Sequence, residues 1–452
     1  MRNLAKNFTF FWAATLLLFS LAACRGFPAD DTTSTADSGN STASAPVPAT
    51  DSLDSPAESV PANSSIVTSL PYPGPTEEIP PTKTLQPDSY PAPATVTPNE
   101  QAQSGITATA NIFLPVTSGS SQTATPPPPP TPAPLPTLDF AAVRADLQAN
   151  GQDLAFAKMG FHVTLPEDRD LLDDWMGRLD QAGVPLFIKT VDNAEPLFRA
   201  QELMKTSGVP HTLVYRSTGG VPHYELEPAL AAQVHWQEHR EKFPAELDPS
   251  LVWIETLNEP DRTKAEWFGQ FALETARLAM ADGFRWAAFG WASGEPEPEQ
   301  WQTPSMLAFL QLAGDNPEQL AIALHEYSFL EENIAHQYPY KVGRFLELFR
   351  IADERGFARP TVLITEWGWE HNNIPHADQA LRDLQWASSL YAPYPQVKGA
   401  AIWNLGIGCC FGDISDQVQQ IVNPVTEFSL TNYFSIPQSP NQKPTDPGQF
   451  QP

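Results

Sequence analysis

The feature that most constrains the fold is a repeated alternation of short apolar runs with longer amphipathic stretches between residues 160 and 403. Helical spacing is present between the runs, at 168–181, 228–243, 264–281, 341–355 and 378–391. Strands that alternate with helices predict a parallel sheet, and eight such units predict a closed (β/α)8 barrel, the TIM-barrel fold of the α/β class. The eight predicted strands are 160–165, 185–191, 211–217, 251–257, 285–291, 320–327, 361–367 and 398–403.

An open, doubly wound sheet is the alternative architecture for the same alternation. Such a sheet usually has a glycine-rich turn after its first strand. Residues 165–168 read Leu-Pro-Glu-Asp and contain no glycine, which favours the barrel. One more helical stretch, at 140–149, precedes the first strand and is predicted to cap the bottom of the barrel.

The amino-terminal residues 1–23 have the pattern of an export signal. Arg2 and Lys6 precede an apolar run at 8–19, which is too short to cross a membrane as a mature helix. The sequence Leu-Ala-Ala-Cys that ends at Cys24 resembles a bacterial lipobox, in which the cysteine is lipidated. We therefore predict export, with a lipid anchor at Cys24 on the outer face of a bacterial membrane. An ordinary signal peptide followed by an incidental cysteine is the alternative.

Residues 24–137 form a low-complexity segment rich in Ser, Thr, Pro and Ala, with consecutive prolines at 126–130. Such a segment buries too little apolar surface to offset its chain entropy, so a disordered linker with polyproline stretches is predicted. The linker either holds the anchored domain within reach of a polymer or only spans the cell wall. The folded domain is predicted at 138–435, and a disordered tail at 436–452.

Charge and cysteine content limit the partners and the covalent cross-links. The formal net charge of −27 argues against nucleic acid or an anionic lipid surface as a partner. If Cys24 is lipidated, the remaining cysteines are the neighbours Cys409 and Cys410. A disulfide between neighbours closes a strained ring, so these two are either free buried thiols or that strained pair. We expect the chain to be a monomer.

Two glutamates stand at the ends of predicted strands. Glu259, in Leu-Asn-Glu-Pro-Asp, follows the fourth strand, and Glu366, in Ile-Thr-Glu-Trp-Gly, ends the seventh. Their separation of 107 positions fits three strand-helix units of a barrel. The carboxyl ends of all barrel strands face one bowl, so both side chains are predicted to meet there. Cleavage of a glycosidic bond typically requires two facing carboxyl groups, one to protonate the leaving oxygen and one to act at the anomeric carbon.

Over residues 160–403 these motifs resemble glycoside hydrolase clan A, the retaining (β/α)8-barrel glycosidases. The resemblance implies that Glu259 is the general acid/base and Glu366 the nucleophile of a hydrolase that acts on a β-linked poly- or oligosaccharide without a metal or other cofactor. It also implies that Asn258 binds the sugar 2-hydroxyl, that Tyr327 in His325-Glu326-Tyr327 orients the nucleophile, and that Trp403 is the sugar platform. His325 is predicted to face the bowl beside Tyr327 and to bind substrate.

Four other polar residues lie near predicted strand ends: Arg216, Lys189, His162 and Asp261. Arg216 is a better candidate than Lys189 to hold the nucleophile, because a guanidinium binds a carboxylate through two parallel hydrogen bonds. Lys189 is expected either to contact sugar or to form a structural ion pair. For His162, contact with a sugar hydroxyl and packing in the core are both open, with contact favoured. Asp261 is expected to cap the segment that follows it.

Two tryptophans near the predicted mouth, Trp291 and Trp367, are candidate substrate contacts, because flat indole faces stack on pyranose rings. Packing within loops is the alternative for both.

Two other functional classes remain open. His235-Trp236-Gln237-Glu238-His239 matches the His-x-x-Glu-His pattern of inverted zinc peptidases. The barrel interpretation puts this helix outside the mouth, and the sequence offers no evident third ligand. The second alternative is a surface lipoprotein that binds polysaccharide without cleaving it, although the presence of both glutamates disfavours this.

Overall fold

The computed structural model describes residues 137–438, apart from 167, 220, 330–332, 371–372 and 407–411. The predicted export signal, Cys24, nearly all of the linker, the Cys409–Cys410 pair and the tail from 439 onward lie outside the described residues. Within the described part, no helix is both long and apolar enough to span a membrane.

Eight parallel strands close into a barrel, as the alternation predicts. Neighbouring strands pair in chain order, and the first and last of the eight pair with each other. Two further strands, one before the barrel and one after it, pair antiparallel in a separate sheet. The strands are β1 (Gln152–Ala155), β2 (Met159–Val163), β3 (Phe187–Val191), β4 (Thr212–Arg216), β5 (Val252–Glu255), β6 (Arg285–Trp291), β7 (Leu320–Tyr327), β8 (Thr361–Gly368), β9 (Val397–Leu405) and β10 (Phe434–Pro437).

Helices connect the barrel strands and cover the outside of the barrel. The five helical stretches predicted between strands and the one before them are all present, with ends shifted by a few residues. The sequence patterns missed the helices at Glu195–Ser207, Pro298–Trp301, Pro304–Asp315 and Gly412–Thr431. The last of these contains Pro424, a residue that usually ends a helix. The helices are α1 (Phe140–Ala149), α2 (Arg169–Gln181), α3 (Glu195–Ser207), α4 (Pro228–Lys242), α5 (Ala265–Ala281), α6 (Pro298–Trp301), α7 (Pro304–Asp315), α8 (Phe345–Arg355), α9 (Ala377–Tyr391) and α10 (Gly412–Thr431).

Helix α2 illustrates how the local sequence positions these elements. The side chain of Asp168 accepts a hydrogen bond from the backbone N–H of Leu171 and so caps the helix start. Its buried residues recur at helical spacing, and among them Trp175 packs edge-on against Phe161 of β2 with ring centroids 5.0 Å apart. The helix is thereby fixed against the first strand of the barrel.

The barrel interior begins with a layer of apolar side chains. Successive strand residues point to opposite faces, so every second residue faces inward. Large residues on β3, β5 and β8 and alanines on β6, β7 and β9 together fill the interior without leaving a pore. Its members are Phe187, Val214, Trp253, Ala287, Ala321, Ala323, Leu363 and Ala401.

The amino-terminal end of the barrel is covered by β1 and β10, which pair from Gln152 with Pro437 to Ala155 with Phe434. A cavity of ≈ 310 Å³ lies between this pair and the starts of β2, β3, β4 and β9. Helix α1 packs beside the pair, with Phe140 edge-on to Phe156 at 5.2 Å. Strand β10 therefore ends two residues beyond the predicted domain boundary at 435.

Candidate active site

Above the apolar layer, towards the carboxyl ends of the strands, the inward-facing residues become charged. Lys189 stands two residues after Phe187 on β3, and Glu255 stands two residues after Trp253 on β5. On β4, Arg216 holds the same position relative to Val214. The alternation that builds the apolar layer thus also aims these ionic side chains into the barrel.

An irregularity in β8 brings two successive residues into this ionic layer. Leu324 of β7 pairs with Ile364, whereas the next residue, His325, pairs with Glu366, so Thr365 is the extra residue of a β-bulge. The Thr365 hydroxyl donates to Oε1 of Glu255 at 2.9 Å. Glu366 follows it into the site.

Three donors surround the carboxylate of Glu366. The hydroxyl of Tyr327 donates to Oε2 at 3.0 Å, while Nζ of Lys189 and Nη1 of Arg216 lie 3.3 Å and 3.4 Å from Oε1. Burial alone would raise the pKa of Glu366, but the charges of His325, Lys189 and Arg216 outweigh burial and hold that pKa well below its usual range. Glu366 is therefore an ionised carboxylate oriented by hydrogen bonds.

Glu259 has a different environment. Its side chain is 44% exposed, against 8% for Glu366. The backbone adopts a left-handed φ of 46°, and its N–H donates to the carbonyl of Gly290 at 2.8 Å. A non-glycine residue in this region is uncommon, and such conformations cluster at functional sites. The tight turn places the Glu259 side chain at the mouth of the pocket.

His325 lies between the two glutamates. Its Nδ1 is 3.0 Å from Oε1 of Glu259 and 3.5 Å from Oε2 of Glu366. One carboxylate oxygen of each glutamate and one ring nitrogen of His325 lie within 4.8 Å of one another. In the described part of the chain, this is the one group of acidic, His and Cys side chains compact enough to hold a metal ion.

Gly290 on β6 makes room for this arrangement. A Cβ there would lie 2.7 Å from Oε1 of Glu255 and 3.4 Å from Nε2 of His325, and its φ is 63°. Any side chain at this position would displace the buried carboxylate, so the site requires glycine. With Gly290 facing inward, its neighbours Phe289 and Trp291 face the helices.

The pocket above these residues has a volume of ≈ 290 Å³ and is lined by Glu259, Tyr327, Phe329, Glu366 and Trp403. Phe329 is 44% exposed, which gives the pocket an open aromatic face opposite its charged floor. Beside the pocket, Nη1 of Arg216 donates to Oδ1 of the exposed Asn258. The amide group of Asn258 thus keeps its two N–H donors for a ligand.

The structure brings six of the predicted residues to this pocket or its rim: Asn258, Glu259, Arg216, Tyr327, Glu366 and Trp403.

The prediction of substrate contact is wrong for Trp291 and Trp367, which are fully buried. Trp291 packs against Phe289 with ring centroids 5.0 Å apart, and Trp367 packs edge-on against Trp369, also at 5.0 Å. Each follows an inward-facing residue on its strand, so the alternation turns it towards the helices. Proximity to a strand end did not show which face the side chain takes.

Three other predicted contacts, His162, Lys189 and His325, also have almost no exposed surface and form the floor beneath the pocket. For Lys189 the structure has the ion-pair alternative, with Nζ 2.7 Å from Oε2 of Glu255. For His162 it has the core alternative, with Nδ1 3.0 Å from Oδ1 of Asn404. Burial, and then the charge of Lys189, lower the pKa of His162 to about 3, so the ring is neutral.

Sequence analysis missed Glu255, Thr365, Phe329 and Asn404. Glu255 is a charged residue inside the apolar run at 251–257. An unpaired charge is rarely buried, so its position in a predicted strand indicated a buried partner. Phe329 lies two residues after the end of β7, and no local sequence pattern indicates that it lines the pocket. The predicted cap at Asp261 is confirmed, since its side chain accepts a hydrogen bond from the N–H of Thr263.

The histidines of the zinc-peptidase motif lie on α4, away from the pocket. The rings of His235 and His239 are both buried, with centroids 4.3 Å apart, and Nδ1 of His239 is 2.9 Å from the hydroxyl of Ser217. Burial is the largest cause that lowers their pKa values, to about 3 and about 4. Within the residues that the structure describes, no third acidic, His or Cys side chain joins them at ligand distance.

Comparisons with known proteins find similarity only among solved structures. No protein-family model and no curated protein matches the chain. A family 39 glycoside hydrolase from Bacteroides cellulosilyticus WH2 is 14% identical with a TM-score of 0.38, and the alignment covers 61% of this chain and 64% of that one.

Two further structures illustrate the range of proteins with this likeness. A variant of an endo-β-1,4-glucanase from Xanthomonas axonopodis pv. citri is 13% identical with a TM-score of 0.37, over 60% of this chain and 99% of that one. A truncated 3-deoxy-D-arabino-heptulosonate 7-phosphate synthase from Thermotoga maritima is 12% identical with a TM-score of 0.29, over 60% and 87%. These values carry no conclusion about activity, which depends on the site itself.

Proposed function

We propose that this protein is a retaining glycoside hydrolase that cleaves a β-linked poly- or oligosaccharide. The observation that carries the proposal is the pair of carboxylates, Glu259 and Glu366, with one oxygen of each within 4.8 Å of the other in an aromatic pocket. Retaining enzymes place their carboxyl groups about 5 to 5.5 Å apart, whereas inverting enzymes leave about 6.5 to 9.5 Å for a water molecule. The short separation favours retention.

The environments of the two glutamates divide the roles. Glu366, ionised and held by Tyr327, Lys189 and Arg216, attacks the anomeric carbon and forms a covalent glycosyl ester. Glu259 donates its proton to the glycosidic oxygen as that bond breaks. After the aglycone departs, Glu259 takes a proton from water, the hydroxide attacks the same carbon, and Glu366 is released as a carboxylate.

The walls of the pocket suit a sugar ring. Trp403 and Phe329 present aromatic surfaces, which pack against the apolar faces of pyranoses. Asn258 offers amide donors beside Glu259, where the 2-hydroxyl of the reacting sugar would lie. Hydrogen bonds to this hydroxyl strengthen in the transition state of such enzymes.

The test is hydrolysis of β-glucans, mannans, xylans and galactans by the purified protein, beside Glu259→Ala and Glu366→Ala. We expect activity on one class of glycan, lost in both variants, with NMR showing that the first product formed has the anomeric configuration of the substrate. An inverted first product would refute the proposed mechanism. Tight binding to one glycan without cleavage would instead favour a carbohydrate-binding barrel.

We also propose that the protein is exported and lipidated at Cys24, on the sequence pattern alone. Detergent-phase partitioning of the full chain and of Cys24→Ala, expressed in a bacterium, tests this. Partitioning of the full chain into the aqueous phase would refute the anchor.

A further inference from the structure

Glu255 is a third carboxylate below the pocket, and it has no exposed surface. Its Oε2 lies 2.7 Å from Nζ of Lys189, and its Oε1 accepts the hydroxyl of Thr365 at 2.9 Å. An ionised carboxylate in a protein interior costs several kcal/mol unless it is paired and hydrogen-bonded. Glu255 is therefore stabilised in the barrel by its contacts with Lys189 and Thr365.

Charge balance in the ionic layer shows what Glu255 does. Lys189 and Arg216 bring two positive charges to Oε1 of Glu366, which carries one negative charge. Glu255 supplies the second negative charge, with Oε2 in contact with Lys189 and 4.0 Å from Nη1 of Arg216. With both carboxylates ionised and both cations protonated, these four groups carry no net charge. The ring of His325 adjoins them, with Nε2 3.9 Å from Oε1 of Glu255 and Nδ1 3.5 Å from Oε2 of Glu366.

We propose that Glu255 is a positioning residue that keeps Lys189 protonated and in contact with Glu366, and that fixes Thr365, the residue before the nucleophile. Glu255 acts on Glu366 by two routes. One is through Lys189 on β3, which contacts both carboxylates, and the other is through Thr365 in the bulge of β8. Glu255 does not line the pocket and so does not act on substrate directly. The kinetic consequence rests on the proposed function, whereas the effect on Lys189 does not.

The protonation balance of Lys189 supports this role. Burial and the charge of Arg216 lower the pKa of Lys189, and Glu255 is the first of the two carboxylates that oppose this. Burial would raise the pKa of Glu255 itself, but Lys189 and Arg216 outweigh it and lower that pKa. Removal of the Glu255 charge leaves a buried lysine beside a guanidinium, which favours loss of the lysine proton.

The first experiment measures the Lys189 ammonium group by NMR of protein labelled with ¹³C at the lysine ε-carbon, with the signal assigned through Lys189→Met. We expect Lys189 to titrate at lower pH in Glu255→Gln than in the unmodified protein. An unchanged titration would overturn the proposal, whether or not the protein hydrolyses any glycan.

The second experiment measures kcat and KM on the dinitrophenyl β-glycoside of the sugar that the panel identifies. This leaving group needs no proton, so kcat/KM reports attack by Glu366 without Glu259. We expect Glu255→Gln to lower kcat/KM about tenfold, the size of one lost charge-assisted contact. Because Glu255 acts in part through Lys189, the double variant Glu255→Gln/Lys189→Met should lose less activity than the losses of the two single variants combined.

Glu347→Gln is the matched control. Glu347 is also fully buried and pairs with Arg350 at 2.6 Å, but on α8 and away from the pocket. It should lower the melting temperature and leave kcat/KM unchanged.

If Glu255→Gln does not fold, the double variant, which removes both buried charges, replaces it in the kinetic comparison with Lys189→Met. Additive losses, or an active Glu255→Gln with unchanged kcat/KM, would overturn the proposal, whereas an inactive unmodified protein would refute the function alone.

Discussion

The two ends of the barrel are built from the same strands and have opposite character. On β3, Phe187 lies at the amino-terminal end within the apolar layer, and Lys189, two residues later, lies within the ionic layer. The amino-terminal end is closed by β1 and β10, whereas the carboxyl end opens into the pocket of Glu259 and Glu366. One strand thus contributes stability at one end and chemistry at the other.

The two ends also differ in how many energetically unfavourable features they contain. The carboxyl end has a bulge at Thr365, a left-handed backbone at Glu259 and three carboxylates within contact distance of shared partners. The left-handed backbone and the buried charges are unfavourable by themselves. The apolar layer below offsets that cost, so substitutions at the two ends are expected to change different measured quantities.

The largest expected effect is on activity at the carboxyl end. Glu366→Gln removes the nucleophile and should lower kcat at least about 10⁴-fold for every leaving group. Glu259→Gln should lower kcat/KM about 10²- to 10⁴-fold for a sugar leaving group and far less for a dinitrophenyl glycoside, because kcat/KM reports the first step and this leaving group needs no proton. Initial rates at low concentrations of both substrates test this. Equal losses of kcat/KM for the two substrates in Glu259→Gln would refute its role as the acid.

Phe187→Ala tests the amino-terminal end of the barrel by removing a large side chain from the apolar layer. We expect the free energy of unfolding to fall by about 3 to 5 kcal/mol, because the substitution leaves a cavity in the apolar layer. The kcat of the protein that remains folded should be unchanged. Denaturant unfolding and rates at one low temperature measure both quantities, with Phe187→Leu as the milder control. A large fall in kcat would show that the two ends are not separable.

Glu326→Gln tests the cost of a buried carboxyl group beside the site. Burial raises the pKa of Glu326 from 4.5 to about 7, although Tyr391 and the N–H groups of Gly343 and Arg344 donate to it. Between these pH values the folded protein keeps a proton that the unfolded chain has lost. The free energy of unfolding therefore falls as pH rises through this window, by about 3 kcal/mol at most, and levels off above about pH 7.

The measurement for Glu326 is urea unfolding at several pH values from 4.5 to 8. Glu326→Gln should remove this part of the slope, whereas the control Glu318→Gln, at a side chain that is 76% exposed, should keep it. Parallel curves for the unmodified protein and Glu326→Gln would contradict the prediction.

The smallest expected effect is that of Tyr327→Phe. This substitution removes the 3.0 Å hydrogen bond to Glu366 and should lower kcat/KM about tenfold, while the ring keeps its packing. Tyr394→Phe, before β9 at the amino-terminal end, is the control and should leave kcat/KM unchanged. Equal kinetics for the two variants would show that Tyr327 does not orient the nucleophile.

The sequence predicted the barrel well, because strand and helix periodicity are local properties. All eight predicted strands are present, and 285–291 and 320–327 agree with β6 and β7 at both ends. The spacing also predicted that Glu259 and Glu366 would meet, since the carboxyl ends of barrel strands share one face. Helix α3 was missed although Gly208 marks its end. The pairing of β1 with β10 was missed because strands of four residues have weak periodicity.

The sequence by itself determined the fold class and the identity of the two carboxylates, because each depends on residue type and on periodicity along the chain. Only the tertiary structure decided that Trp291 and Trp367 face the helices, that Lys189 pairs with Glu255, and that Phe329 lines the pocket. The direction of a strand residue depends on register and bulges, and the pairing of a buried charge depends on which strands become neighbours. Both are set by closure of the barrel.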